Sequence, residues 1–324
     1  EIENGGDRRC GIKKKITVLI SQLCQEGLLR DVSSHHGLKN LNPSTSKSRS
    51  RRRYRSLPIF ALLLGSSAAL AQGSPQLDLS PGIDLDSSSN SPLDVGNSVD
   101  LYQDGTDLGA RIIQSGDLND LVAVQIGDSL YVGIDQDGVG NDLLIVQNGS
   151  SSSADVSQDG DNNLVDANQT GDKHSLEATQ DGMGNKLIVD QEGQWNTITV
   201  TQEGSGQSLA ATQHGDGNQA DIVQNGTGNS ADVSQIGSGQ ALTLDQSGSH
   251  NSAVLEQMGQ GNRINLSQDG IGNMAFVSQH GLSQFADVAQ IGNGNLVDLS
   301  QYSGDTTIGI TLNSNDRAVY VRGN

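Results

Sequence analysis

The sequence predicts an all-β protein, a two-sheet parallel β-solenoid with 22-residue coils, each coil made of two 11-residue strand–turn units. Three observations predict it. Glutamine recurs with an unbroken step of eleven, at Gln103, Gln114, Gln125, Gln136, Gln147, Gln158, Gln169, Gln180, Gln191, Gln202, Gln213, Gln224, Gln235, Gln246, Gln257, Gln268, Gln279, Gln290 and Gln301. A glycine stands two residues after 18 of these 19 glutamines, Ser303 being the exception. The residues four and two before every one of them are aliphatic, from Val99 and Leu101 to Val297 and Leu299. A short period with no length variation means that each unit stacks on near-identical neighbours.

Each unit reads N-x-φ-x-φ-x-Q-x-G-x-G, as in the stretch from Asn229 through Ala231, Val233, Gln235 and Gly237 to Gly239. Asn, the two aliphatics and Gln fall on every second residue, so they share one face of a strand of about seven residues. The four residues left over hold one or two glycines, which suits a tight reversal at positive φ. One strand and one turn make a unit, and two units make a flat coil. Stacked coils give two parallel sheets with strands roughly 4.8 Å apart and a thin dry interior between them.

The polar half of that interior is expected to bond to itself. Glutamines are expected to ladder from coil to coil, and so are the asparagines six residues before them: Asn97, Asn119, Asn141, Asn163, Asn185, Asn196, Asn218, Asn229, Asn251, Asn262, Asn273 and Asn295. Buried amides recur this strictly only where their donors and acceptors are satisfied. Leu108, Leu130, Ser152 and His174 interrupt the asparagine slot. Ile308, Ile310 and Leu312, then Val319 and Val321, continue the phase without its amides. That makes about 21 strands in roughly ten coils, a stack of about 50 Å. No single coil holds itself together. Ordering a unit costs about 11–20 kcal/mol of backbone entropy, two small aliphatics return about 2–5, and the difference must come from neighbouring coils.

Charge divides the chain near residue 71. Residues 1–71 carry 13 Lys+Arg and 5 acids, and the remainder carries 6 and 33, a net of −27. Arg51-Arg52-Arg53-Tyr54-Arg55, an apolar run from Leu57 to Leu70 and the end Ala69-Leu70-Ala71 read as a signal peptide over 51–71. No methionine precedes Met183, and residues 1–50 read as a non-native upstream extension. Both cysteines, Cys10 and Cys24, lie there, so the exported chain is expected to have neither a disulfide nor a thiolate site. Residues 72–96, rich in Ser, Asp, Asn and Pro, read as a disordered leader outside the period. The repeat domain is 97–324.

The repeat Q-x-G-x-G-N-x-A-x-V-x-Q, nearly unaltered from Gln224 through Gly226, Gly228, Asn229, Ala231 and Val233 to Gln235, resembles the curlin repeat of bacterial curli subunits. The resemblance covers 97–301 with roughly twice the usual number of repeats. It implies a secreted structural subunit that polymerises with itself, end to end, into extracellular functional amyloid fibres of the biofilm matrix, serving adhesion. It further implies export through the periplasm and a dedicated outer-membrane secretion channel, with 72–96 as the targeting segment, and assembly on a nucleator subunit. The last strand replaces the Asn/Gln frame with a stretch that carries Arg317 and Arg322, a basic divergence similar to the nucleating, minor subunit. The alternatives are therefore that nucleator, or a non-polymerising β-solenoid adhesin.

Other chemistry is thin. An enzyme needs loop insertions to wall a cleft, and the unbroken step of eleven leaves none, so no catalytic residue, cofactor or metal is expected. His174 fills an asparagine slot, while His214, His250 and His280 read as turn residues on separate coils. Asp159-Gly160-Asp161-Asn162-Asn163 lacks the glycine and terminal Glu of a calcium loop. Trp195 reads as an exposed turn aromatic. A net of −27 argues against nucleic acid. On the outer faces, Asp100, Asp166, Asp232 and Asp298 recur every third coil, as do Asp155, Asp221 and Asp287 with Glu177 interrupting. Such spacing is expected to keep charge without stacking it, leaving Val122, Leu144, Ile188, Val254 and Phe276 as a stickier face.

Overall fold

The computed structural model describes residues 83–87, 96–302 and 304–323. The upstream extension, the signal peptide and most of the targeting segment lie outside the described residues. Among the described residues there are 22 strands and no helix. Strand β1 spans Ile83–Ser87, β2 Ser98–Thr106 and β3 Gly109–Asp117. From β2 to β19 (Phe285–Asn293) every strand has nine residues and begins eleven after the last. Strands β20 (Leu296–Gln301), β21 (Thr307–Asn313) and β22 (Ala318–Gly323) keep the step but are shorter.

Odd strands form one 11-stranded sheet and even strands another, each in sequence order. All pairing is parallel, and among β2 to β22 it shifts by 22 residues, so that β14 (Ser230–Ser238) sets Ala231 over Leu209 and Gln235 over Gln213. The chain is the expected two-sheet parallel β-solenoid. The aliphatic pairs meet between the sheets in one continuous core running from Ala110 to Ile310. Leu187, Ile198, Ile222 and Leu244 in its middle have essentially no exposed surface.

Three details differ from the expectation. The strands run nine residues, because the reversal is itself part of the ladder: the arch of each coil stacks on the arch below and keeps its backbone bonds. Asparagine consequently falls in the two-residue corner before each strand. Ile83–Ser87, expected in a disordered leader, forms β1 and pairs with Ala110–Gln114 of β3. Its alternating Ile83 and Leu85 supply the strand pattern, but its register is 27 residues, a slip of five that hides it from the period.

Acids also stack more closely than their every-third-coil spacing implied. Asp137, Asp159, Asp181 and Glu203 sit on four consecutive coils of one column, and Asp155 lies directly under Glu177. Burial raises the Asp155 carboxyl above its ordinary value, and the Glu177 charge adds to it. Of the column expected to be sticky, Ile188, Val254 and Phe276 stand exposed on the other sheet, whereas Val122 and Leu144 are buried and belong to no exposed face.

Candidate functional site

The chemistry of this molecule lies in its interior columns. On the even sheet each glutamine Nε2 donates to the Oε1 of the glutamine one coil on, from Gln103 to Gln301, over 2.6–3.0 Å. On the odd sheet the same bond runs from Gln114 to Gln290 over 2.7–2.9 Å. The second Nε2 hydrogen goes to the main chain of the facing sheet, as from Gln235 to the Gln219 carbonyl at 2.9 Å. That carbonyl can only accept, which sets the amide's orientation. Every rung therefore points from the N-terminal coil toward the C-terminal one.

The asparagines do not ladder amide to amide, as the sequence led us to expect. Asn229 Nδ2 donates to the carbonyls of Asn225 at 3.0 Å and Gly248 at 3.3 Å. Its Oδ1 accepts the main-chain N–H of Asn251 at 2.9 Å. The reason is position: in a corner, main-chain groups have no sheet partner, and a short buried amide satisfies them. Asn97, Asn119, Asn141, Asn163, Asn185, Asn196, Asn218, Asn251, Asn262, Asn273 and Asn295 make bonds of this kind in whole or part. Gln207 reaches the same partners, taking the Asn229 N–H and donating to Glu203.

A glycine column completes each arch. Gly226 lies at φ 116°, and a Cβ there would overlap the carbonyl oxygen of Gly248 in the next coil. Coil-to-coil contact at the arch is thus main chain on main chain. The corner residue two later also has positive φ yet tolerates side chains: Lys173, Trp195 and His250 all occupy it at 55–60°. Lys173 and Trp195 stand one coil apart, with the ammonium 3.9 Å above the indole, an attraction the 22-residue step makes visible once coils are drawn.

His174 is buried in the asparagine column, its Nε2 3.0 Å from the Thr170 carbonyl and its Nδ1 without a partner. Burial lowers its pKa, outweighing the Thr170 bond. His214 and His280 lie within strands rather than turns, facing Asp190 at 3.7 Å and Glu256 at 3.5 Å. Among the described residues no three His, Cys, Asp or Glu converge on a metal position.

The columns fail at the C-terminal end. Leu312 and Gly323 occupy the glutamine slots above Gln290 and Gln301, and Arg317 occupies an asparagine slot. Gln301 Nε2 turns back to the Phe285 and Thr306 carbonyls. Val99 and Leu101 at one end, and Ile308, Leu312, Val319 and Val321 at the other, are only partly buried against the core.

The family model of the curlin associated repeat matches residues 127–160, 149–182, 160–193, 182–215, 208–237, 241–270 and 272–302, stopping where the glutamines stop. No curated protein matches the chain. With the model covering most of the stack and the amide and glycine columns supplying its physical basis, the chain belongs to the curlin repeat family.

Proposed function

We propose that the chain is a secreted structural subunit of extracellular curli-type amyloid fibres, exported by a signal peptide over 51–71 and a targeting segment over 72–96, with no enzymatic role. It acts in the biofilm matrix and in adhesion. The observation that carries this reading is that both ends of the stack are unfinished in matching ways. Among the described residues each leaves a terminal strand without a further partner, and half-covered aliphatics in the columns that run unbroken between them. An uncovered parallel sheet edge is a template for another strand, and adding a coil restores the contacts every interior coil enjoys. Self-association end to end follows, and the outer-membrane channel and nucleator are the partners family membership implies. The loss of glutamines and the arrival of Arg317 and Arg322 in the last coil favour a second reading, the nucleating subunit.

Residues 79–324 form one compact unit, so the chain from residue 72 onward is the material to test. Thioflavin-positive fibres with the roughly 4.8 Å strand repeat along their axis are expected, from this chain alone or on addition to a second curlin-repeat subunit. A soluble monomeric solenoid under both conditions would refute the fibre and leave the adhesin.

A further inference from the structure

The two outer faces differ in what they leave uncovered. On the even sheet, β10 (Lys186–Gln194), β16 (Ser252–Gln260) and β18 (Met274–Leu282) expose Ile188, Val254, Met258, Met274 and Phe276. Val254 and Phe276 share a column on adjacent coils, with Met258 and Met274 to either side. Glu256, between Val254 and Met258, faces the His280 Nε2 at 3.5 Å. On the odd sheet the large apolar side chains exposed on the outer face, among the described residues, are Tyr131, Val223 and Ile291, no two on adjacent coils. A contiguous apolar patch on a rigid sheet marks an interaction surface. The six even strands from β10 to β20 stand roughly 4.8 Å apart and spread their outward residues over about 20 Å, a face of about 580 Å² per copy.

The occupant that fits is the same face of a second copy. Two such faces bury about 1,150 Å², just above the ~1,000 Å² that a specific contact needs. One pair of subunits therefore binds weakly, and a stack of them multiplies the contact along its length. Charge selects the arrangement. A two-fold along the stack axis, passing between the columns of Phe276 and Ser278, sets each outward residue against the one mirrored across that line. Lys186 then meets Glu192 of the second copy, both at exposed positions, and the two side chains together span the ~10 Å between packed sheets. Asp232 meets Ser234, Glu256 meets Val254 and Asp298 meets Ser300, so over these strands no carboxylate opposes another at its own level. A two-fold across the stack would instead hold Lys186 to its own column, where Ser208, Ser230, Ser252, Met274 and Leu296 offer no carboxylate. We propose that fibres of this chain pair side by side through the outer face of the even sheet, parallel and in register coil for coil, with Lys186 of each copy opposite Glu192 of the other and Val254 and Phe276 interdigitating between them. The pairing rests on the fibre reading above, and its partner is a second copy in a neighbouring stack.

The test uses fibres of the chain from residue 72, with the bundled fraction read by electron microscopy and seeded elongation measured separately. Wild-type fibres are expected to lie in side-by-side bundles. Lys186→Glu sets glutamate against glutamate twice in every pair and is expected to cut the bundled fraction at least fivefold, while elongation stays within twofold of wild type. Glu192→Lys added to Lys186→Glu restores the opposite charges and is expected to return bundling to within twofold. Phe276→Asp, at the centre of the patch, is expected to disperse bundles at least fivefold, whereas Thr199→Asp on the outer face of the odd sheet leaves them within twofold. Wild-type fibres that stay single, bundles that survive Lys186→Glu or Phe276→Asp, a double variant no better than the single one, or equal dispersal by Thr199→Asp would overturn the paired face and leave the fibre standing. Absence of cross-β fibres from every chain would overturn the fibre reading beneath it.

Discussion

Replacing Gln224 with Leu tests whether the ladder is a source of stability or a passive consequence of stacking. Gln224 accepts from Gln202 at 2.8 Å, donates to Gln246 at 2.8 Å and donates to the Ser208 carbonyl at 3.4 Å, all in a fully buried site. Leucine leaves the Gln246 Oε1 without its donor and takes one acceptor from Gln202, whose remaining bond is to the Lys186 carbonyl. Two buried polar atoms each losing a partner cost about 1–3 kcal/mol apiece. The apolar side chain returns about 1.5–3 kcal/mol of burial, for a net loss of about 1–3. Repeat arrays open locally rather than all at once, so the assay is amide hydrogen exchange, strand by strand. Exchange in β11 (Thr197–Ser205), β13 (Gln219–Thr227) and β15 (Ala241–Ser249) should accelerate about 5–150-fold. Ser234→Ala, on the outer face, should change it less than threefold. Equal exchange in the two variants would refute the claim that the rungs stabilise the stack.

Three more outcomes follow from the columns. Gly226→Ala should cost at least about 2 kcal/mol, from strained φ and overlap with the Gly248 carbonyl, whereas Gly239→Ala, with open space around it, should cost about 1; urea unfolding midpoints compare them. His174→Asn should stabilise by about 1–2 kcal/mol at neutral pH, because it gives the Nδ1 position a satisfied amide. It should also remove an acid sensitivity: the folded imidazole pKa is depressed, so its stability is present above the ordinary 6.5 and falls with pH below it, by at most about 1.4 kcal/mol per unit. Asp155 works in the opposite sense, its raised carboxyl pKa penalising the fold at neutral pH and releasing it as pH falls toward the ordinary value. Asp155→Asn should therefore stabilise at pH 7 and make no difference well below pH 3.8, read by the same urea midpoints.

The fold was legible because one number governs it. A step of eleven with alternating aliphatics leaves no other way to bury Val233 and Gln235 on the same face, and 22-residue pairing follows from folding that unit back once. Periodicity records which residues recur, however, and not what they touch. Asn229 and Gln235 recur alike, yet one bonds main chain and the other its own kind, a difference set by corner against strand. The nine-residue strand was hidden for a related reason, since the Gly226 arch breaks the sequence pattern while its main chain stays in the ladder. Strand β1 escaped because a slip of five takes Ile83 and Leu85 out of phase. The stacked acids needed every column drawn at 22, and only two columns show the spacing by three.

Direction is the property that ladder and sheets establish together. Parallel pairing already gives the stack an N-terminal and a C-terminal face that are not interchangeable. The amides repeat that polarity independently, since each Nε2 must face the carbonyl of the opposite sheet and each Oε1 is left to receive the rung from the coil before it. Two copies meeting C-terminal face to C-terminal face would oppose strand directions at the junction. Two N-terminal faces would set glutamine acceptors on both sides with no donor between them. Only the head-to-tail arrangement keeps the strands parallel and the glutamine donors and acceptors aligned in one direction. In a fibre of the proposed kind, polarity would be dictated inside the subunit, coil by coil.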